Sequence, residues 1–179
     1  GLDTISYTIV MEEIARIDAS SAVVMSVNNS LVCYLLEKYG SDFIKEKYLK
    51  ELASGKKLGA FSLSEPQSGS DASNMLAFAE KDGDHYILNG TKNWVTNGFH
   101  SDYVLVFAVT EKGIGHRGIS CFIVDKKYEG VEVPRPDFWE GYSVLPEKIE
   151  FWLQQDSRLH ERIEYTKSEK GWAHQRLYP

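Results

Sequence analysis

An eight-residue polar run and a five-residue turn carry the side chains best suited to chemistry in this sequence. The run is Ser64-Glu65-Pro66-Gln67-Ser68-Gly69-Ser70-Asp71, and the turn is Trp94-Val95-Thr96-Asn97-Gly98. Pro66 has no N–H donor and Gly69 tolerates unusual dihedrals, so the run reads as a tight loop. Such a loop leaves backbone N–H groups and hydroxyls to converge on one anion, such as a pyrophosphate. Trp94 sets a planar apolar face close to the Thr96 hydroxyl. Together the two stretches could hold both ends of a long planar ligand. The same residue types also build any surface turn, and a lone Trp is commonly a core residue. A third cluster, Arg158, His160 and Arg162, lies near the C-terminus. On a strand these alternate positions share one face, and two guanidinium forks beside an imidazole could converge on one anionic ligand such as a phosphate. An ordinary half-buried strand accounts for the same pattern.

The elements that must position these residues follow from periodicity. Residues 3 to 57 contain no Pro and little Gly, and they read as helices. Ile5, Ile9, Met11, Ile14 and Ile17 form one stripe, and Val24, Val27, Leu31, Leu35 and Leu36 a second, capped by Ser20 or Ser21. Gly40 stops that helix, Ser41 caps a third, and Gly55 ends it. From Leu58 the pattern changes to short β-branched or aromatic runs: 59 to 63, 77 to 81, 85 to 88, 103 to 110 and 119 to 125. Asp82-Gly83 and Asn89-Gly90 mark hairpins. The expected fold class is therefore α+β: N-terminal helices, a small antiparallel β-barrel or sandwich, and a β-rich C-terminal tail.

Gly113-Ile114-Gly115-His116-Arg117-Gly118 matches GxGxxG, but it precedes a strand instead of opening a helix. It is expected to be a hairpin loop, not a dinucleotide site. The mild acidic balance, net charge −6, argues against a nucleic-acid surface. No apolar run is expected to span a membrane, and no signal-peptide pattern opens the chain. The chain starts at Gly1, which suggests a fragment or a processed chain. Cys33 and Cys121 lack CxxC spacing and are expected to be buried free thiols in a reducing compartment.

Composition shifts at Pro134. Four of the five Pro and three of the four Trp lie from there to the end, so Pro134-Arg135-Pro136 reads as a stiff linker opening a separate tail. Pro146 is expected to start a short helix through Phe151. Residues 163 to 166 and 172 to 177 pair as a hairpin around Lys170-Gly171.

The loop and the Trp-Val-Thr-Asn-Gly stretch resemble the middle domain of the acyl-CoA dehydrogenases, nearest the short-chain (butyryl) branch. The similarity runs from Gly1 to about Val133, with 1 to 57 as the end of the N-terminal helical domain and 58 to 133 as the flavin-binding β domain. The resemblance implies that Phe61 to Ser70, with Leu63 and Ser64, line FAD through main-chain and hydroxyl groups. It implies that Ser70 lies where flavin and acyl thioester meet, that Trp94 packs on the isoalloxazine, and that Thr96 bonds near flavin N5, with Val95 in the same set. In that family the catalytic base is a glutamate on a C-terminal helical bundle. No residue here matches it, so none is nominated as catalytic, and the chain alone is expected to be inactive.

The tail, 134 to 179, resembles the C-terminal segment of the FMN-dependent pyridoxine (pyridoxamine) 5'-phosphate oxidases. The motifs are Phe-Trp-x-Gly-Tyr at 138 to 142, Ile-Glu-Phe-Trp at 149 to 152, Arg-Leu-His-x-Arg at 158 to 162 and Arg-Leu-x-Pro at 176 to 179. Glu140, Glu161 and Tyr178 depart from the usual Gly, Asp and Ala. This resemblance implies FMN contacts for Trp152 and Arg162, and pyridoxal phosphate contacts for Arg158 and His160. The chain thus looks like a junction of two flavoprotein pieces. The leading expectation is FAD-dependent α,β-dehydrogenation of a short-chain acyl-CoA thioester; the alternatives are the FMN-dependent oxidase and a non-catalytic module. Both families imply a homo-oligomer inside the cell, in the cytoplasm or, in a eukaryote, the mitochondrial matrix.

Overall fold

The computed structural model describes residues 3 to 128, 147 to 153 and 161 to 177, with the backbone alone at 152, 153 and 161. The chain divides into two units, Gly1–Arg135 and Pro136–Pro179.

The first unit opens with helices whose ends are set by short polar side chains. Asp3 begins α1 (Thr4–Ile17), its carboxylate accepting from the Ser6 N–H at 2.8 Å. Asp18 begins α2 (Ala19–Tyr39), accepting from the N–H groups of Ser20 at 3.1 Å and Ser21 at 3.0 Å. The cap is therefore Asp18, and the two serines expected in that role donate to it. Within α2, Val27–Cys33 winds as a π-helix. Asn28, Val32 and Leu36, one face at a spacing of four, turn inward, and Val24 and Leu31, expected on the core stripe, are exposed. Ser41 caps α3, which runs through Asp42–Ile44, a π turn Lys45–Leu49 and Lys50–Ala53. Its hydroxyl accepts from the Ile44 N–H at 3.4 Å, as expected.

By length and composition α2 is apolar enough to cross a membrane, with mean hydropathy 1.4 over its most apolar window, which corrects the expectation that no run reaches that size. Internal packing accounts for part of this apolarity. Val32 and Leu36 share a cluster with Tyr48, Leu52 and Leu105. Beside them the buried Asn28 amide accepts from the Gly59 N–H at 2.9 Å and donates to the Leu52 carbonyl at 3.3 Å.

Five strands follow: β1 (Gly59–Ser62), β2 (Phe78–Asp82), β3 (His85–Asn89), β4 (Tyr103–Val109) and β5 (Ile119–Asp125). They lie within a residue or so of the expected runs. β4 pairs antiparallel with β5 and parallel with β1, and β2 meets β4 at Phe78–Val109. The sheet is thus mixed and open, not purely antiparallel. The parallel pair is clamped at its start by Asp102, which accepts from the Leu58 N–H at 3.0 Å and from Lys57 at 2.8 Å. Gly59 lets β1 lie directly on α2, since a Cβ there would fall 2.8 Å from a Val32 methyl. Asp82-Gly83 turns the β2–β3 hairpin. Asn89-Gly90 does not turn a hairpin: Gly90, at φ 147°, carries the chain out of β3 past Ala77, where a Cβ would lie 2.5 Å away. The GxGxxG stretch ends in a 3-10 turn, Gly115–Gly118, that leads into β5, as expected. Cys33 is half-buried, and burial with the nearby Glu37 pushes its thiol pKa up. Cys121, on β5, is exposed, which corrects its expected burial.

The described residues of the second unit form a three-stranded antiparallel sheet of β6 (Lys148–Leu153), β7 (Glu161–Ser168) and β8 (Gly171–Leu177). Residues 148 to 151 are strand, not the short helix expected after Pro146, because alternation of Lys148 and Glu150 with Ile149 and Phe151 suits a pleat paired along its length with β7. The β7–β8 hairpin closes at Ser168–Gly171, as expected. Aromatic contacts run across it: the Phe151 and Tyr165 rings meet edge to face at 5.5 Å, and Tyr165 stacks on His174 at 5.4 Å.

Candidate functional site

The polar loop begins where β1 ends. Glu65 and Ser68 exchange backbone hydrogen bonds at 2.8 and 3.1 Å, which closes a turn over Pro66 and Gln67. The Ser68 hydroxyl donates to the Asp71 carbonyl at 2.8 Å. These bonds engage the N–H groups of 65 and 68 and one hydroxyl, so the anion cradle is smaller than expected. Ser64, half-buried, and Ser70, exposed, are the remaining loop hydroxyls of the nominated set.

Inside the loop sits a pair that the sequence analysis did not single out. The Glu65 carboxylate, with its side chain 2% exposed, lies 2.8 Å from the Lys92 ammonium, which is 10% exposed. It also accepts from Gln67 at 2.6 Å and from the N–H groups of Leu76 at 2.6 Å and Ala77 at 3.0 Å. Burial alone would raise the Glu65 pKa. The bonds from Lys92, Leu76, Ala77 and Gln67 together outweigh it and hold the carboxyl below its ordinary value. Lys92 donates in turn to the Leu63 carbonyl at 3.0 Å, and the Asn93 N–H donates to the Ser64 carbonyl at 2.9 Å. A Glu in a polar loop and a Lys two residues before a Trp give no pairing signal in sequence. Only folding brings them together.

The bonds at Leu63 and Ser64 deliver the chain directly to Trp94. That residue adopts φ 58°, a left-handed conformation rare for a bulky side chain, and is 79% exposed. The core reading of Trp94 is thereby excluded. Asn97, also left-handed at φ 66°, anchors the turn: its amide donates to the carbonyls of Gly59 at 3.1 Å and Val24 at 3.3 Å. The Asn97 carbonyl accepts from the Ser101 N–H at 2.8 Å. Val95 and Thr96 are half-buried within the turn. Phe61 is half-buried and packs its ring on Phe107 at 5.0 Å.

The structure therefore brings Leu63 and Ser64 against the segment that carries Trp94, Val95 and Thr96, with Ser70 exposed on the same loop. Trp152 and Arg162 lie opposite one another in the β6–β7 register of the second unit. The Arg162 guanidinium bonds to Glu150. Arg158 and His160 fall outside the described residues.

Comparison with known proteins gives three family matches. Residues 60 to 151, just over half of the chain, match the acyl-CoA dehydrogenase middle domain. Residues 1 to 56 match the acyl-CoA dehydrogenase N-terminal domain, and 139 to 179 match the pyridoxine 5'-phosphate oxidase C-terminal dimerisation region. The acyl-CoA dehydrogenase, short-chain specific, of Clostridium acetobutylicum is 38% identical over 133 residues, which are 74% of this chain and 35% of that protein. The mitochondrial short-chain specific acyl-CoA dehydrogenase of Bos taurus is 42% identical over 137 residues, 76% of this chain and 33% of that one. Among solved structures, butyryl-CoA dehydrogenase from Megasphaera elsdenii superposes with a TM-score of 0.70 at 42% identity, over 73% of this chain and 34% of its own. The chain spans about a third of the length of these relatives.

Proposed function

The chain belongs to the acyl-CoA dehydrogenase family, and from that premise we propose that its first unit is the flavin-contacting part of an FAD-dependent short-chain acyl-CoA dehydrogenase. The observation that carries this reading is Trp94: a large aromatic held outward in a strained left-handed conformation, beside the polar loop. Strain of this kind persists where the surroundings over-determine it and is concentrated at ligand sites. An exposed indole also gains apolar burial once a planar ring covers it.

The residues fit a flavin dinucleotide in kind. Trp94 offers a ring face, Thr96 and Val95 line the turn beside it, and Phe61, Leu63 and Ser64 offer main chain or a hydroxyl along the loop. Ser70 is proposed at the junction of cofactor and thioester. Bound FAD would supply the hydride acceptor of an α,β-dehydrogenation. The part of this chain is to bind and orient that ring and to place the thioester beside it. We assign no carboxylate here to removal of the α-proton. The parent assembly is proposed to be a homo-oligomer, intracellular as in the mitochondrial relative.

The match over 139 to 179 carries the second reading, an FMN-dependent pyridoxamine or pyridoxine 5'-phosphate oxidase. Against it, the Arg162 guanidinium is already bonded to Glu150 instead of being held for a phosphate.

FAD titration, followed by flavin fluorescence, tests the leading reading. Trp94→Ala is expected to weaken binding by about 1 to 3 kcal/mol from lost stacking and area. Equal affinities for wild type and variant would remove Trp94 from the site. Preference for FMN over FAD would favour the second reading.

A further inference from the structure

The proposed flavin site is made of two segments far apart in sequence, 63 to 70 and 94 to 96. Apart from Glu65 and Ser68, their side chains are exposed or half-buried, so little packing fixes one against the other. What joins them is buried behind them. Lys92 crosses from the Trp94 segment into the loop and ends on both the Leu63 carbonyl and the Glu65 carboxylate. Glu65 in turn holds the far end of the loop through the N–H groups of Leu76 and Ala77. This ion pair, together with the Asn93 N–H bond to the Ser64 carbonyl at 2.9 Å, connects the start of the loop, its return to β2, and the strand exit that leads to Trp94.

A buried pair of this kind is a poor device for stability alone. Desolvating two charges costs about as much as their attraction returns, and well-packed apolar side chains often do as well. What a fully bonded pair does supply is direction. The carboxylate here has four donors, and the ammonium has two oxygen acceptors besides the Met75 sulfur at 3.9 Å. Any slip of the loop past residues 92 to 94 would leave a charge unpaired in the interior, so only one register is tolerated.

We propose that Glu65 and Lys92 are positioning residues of the flavin site, whose ion pair fixes the register between the polar loop and the Trp94 turn. The proposal rests on the flavin reading above for its consequence, but not for its geometry. Their side chains are only 2% and 10% exposed, while Trp94 faces outward.

The test has two readouts on the full chain. One is FAD affinity. The other needs no flavin: the ¹⁹F resonance of Trp94 in 5-fluorotryptophan-labelled protein, assigned by its loss in Trp94→Phe. Lys92→Met and Glu65→Gln are each expected to shift or broaden that resonance and to weaken FAD binding by about tenfold or more, as small misplacements at a site do. Lys92→Arg, which keeps the charge and the donors, is expected to restore most of both. The double variant is expected to cost little beyond either single one, since both break the same link. Leu105→Ala, a core change outside the loop, is expected to lower stability while leaving the Trp94 resonance in place. If Lys92→Met does not fold, Glu65→Gln decides the matter. An unmoved Trp94 resonance in Glu65→Gln, or one that moves equally in Leu105→Ala, overturns the positioning role. If the wild-type chain binds no FAD, the flavin reading fails while the resonance still decides whether the pair sets the turn.

Discussion

The two sheets of this chain are built from similar strands and are held together differently. In the five-stranded sheet, β4 buries Val104, Leu105 and Ala108. Helices supply the opposing layer: Leu105 shares a cluster with Val32, Leu36, Tyr48 and Leu52 from α2 and α3. In the three-stranded sheet, the described residues of β8 are exposed from Gly171 to Arg176 and only Leu177 is half-buried. Among the described residues, what holds that sheet is its ladder and cross-strand pairs, Phe151 with Tyr165, Tyr165 with His174, and Lys148 with Glu164 at 2.9 Å. Alternating sequence makes a strand in either setting, but only a second layer makes a core.

Charge pairs break the comparison most sharply. Lys92→Met leaves Glu65 buried and unpaired and is expected to destabilise the first unit by about 3 to 5 kcal/mol. Lys148→Met removes a pair whose lysine is 62% exposed and is expected to cost under about 1 kcal/mol. Urea unfolding of the two variants, read by probes in each unit, measures both; similar losses would mean that burial does not separate the pairs.

Core truncation comes next. Leu105 is 1% exposed, and Leu105→Ala is expected to cost about 3 kcal/mol. Phe151 is 51% exposed, and Phe151→Ala is expected to cost about 1 kcal/mol through lost area and its ring contact. Thermal melts of each variant check the contrast, and a larger loss for Phe151 would reveal a covering layer on the second sheet.

Acid sharpens the comparison with the smallest effect. Burial opposes, but its bonds win, and the Glu65 pKa is depressed below its ordinary 4.5. The bonds from Lys57 and the Leu58 N–H depress Asp102 below 3.8. A depressed carboxyl contributes stability that is full above its unfolded pKa and is lost as pH falls through the folded one. The first unit is therefore expected to hold its stability down to about pH 4.5 and to lose it progressively below. Glu65→Gln should flatten the upper part of that decline. An unchanged pH profile in that variant would show that Glu65 carries none of it.

Local chemistry made much of this readable beforehand. Asp82-Gly83 turns a hairpin because Gly supplies a positive φ there. Ser41 caps a helix because its hydroxyl reaches the Ile44 N–H three residues on. The GxGxxG stretch could be dismissed because a strand follows it. Asp18 was also within reach, since it sits directly before the capped helix and a carboxylate accepts from two N–H groups at once.

Of the candidate site, residue type and short spacing are enough to nominate the polar loop, Trp94 and its turn. Tertiary structure alone decided how they meet. The parallel pairing of β1 with β4 depends on Asp102 and Lys57, 45 residues apart. On α2 the fold chose Asn28 and Val32 beside Leu36 as the inner face and left Val24 and Leu31 of the expected stripe exposed. Glu65 and Lys92 are 27 residues apart, and each alone looks like an ordinary surface charge. Turns and caps are fixed by dihedral needs within a few residues, so their signals are local. Partners across a fold are chosen by the exclusion of water from a shared interior, and no single stretch of sequence carries that information.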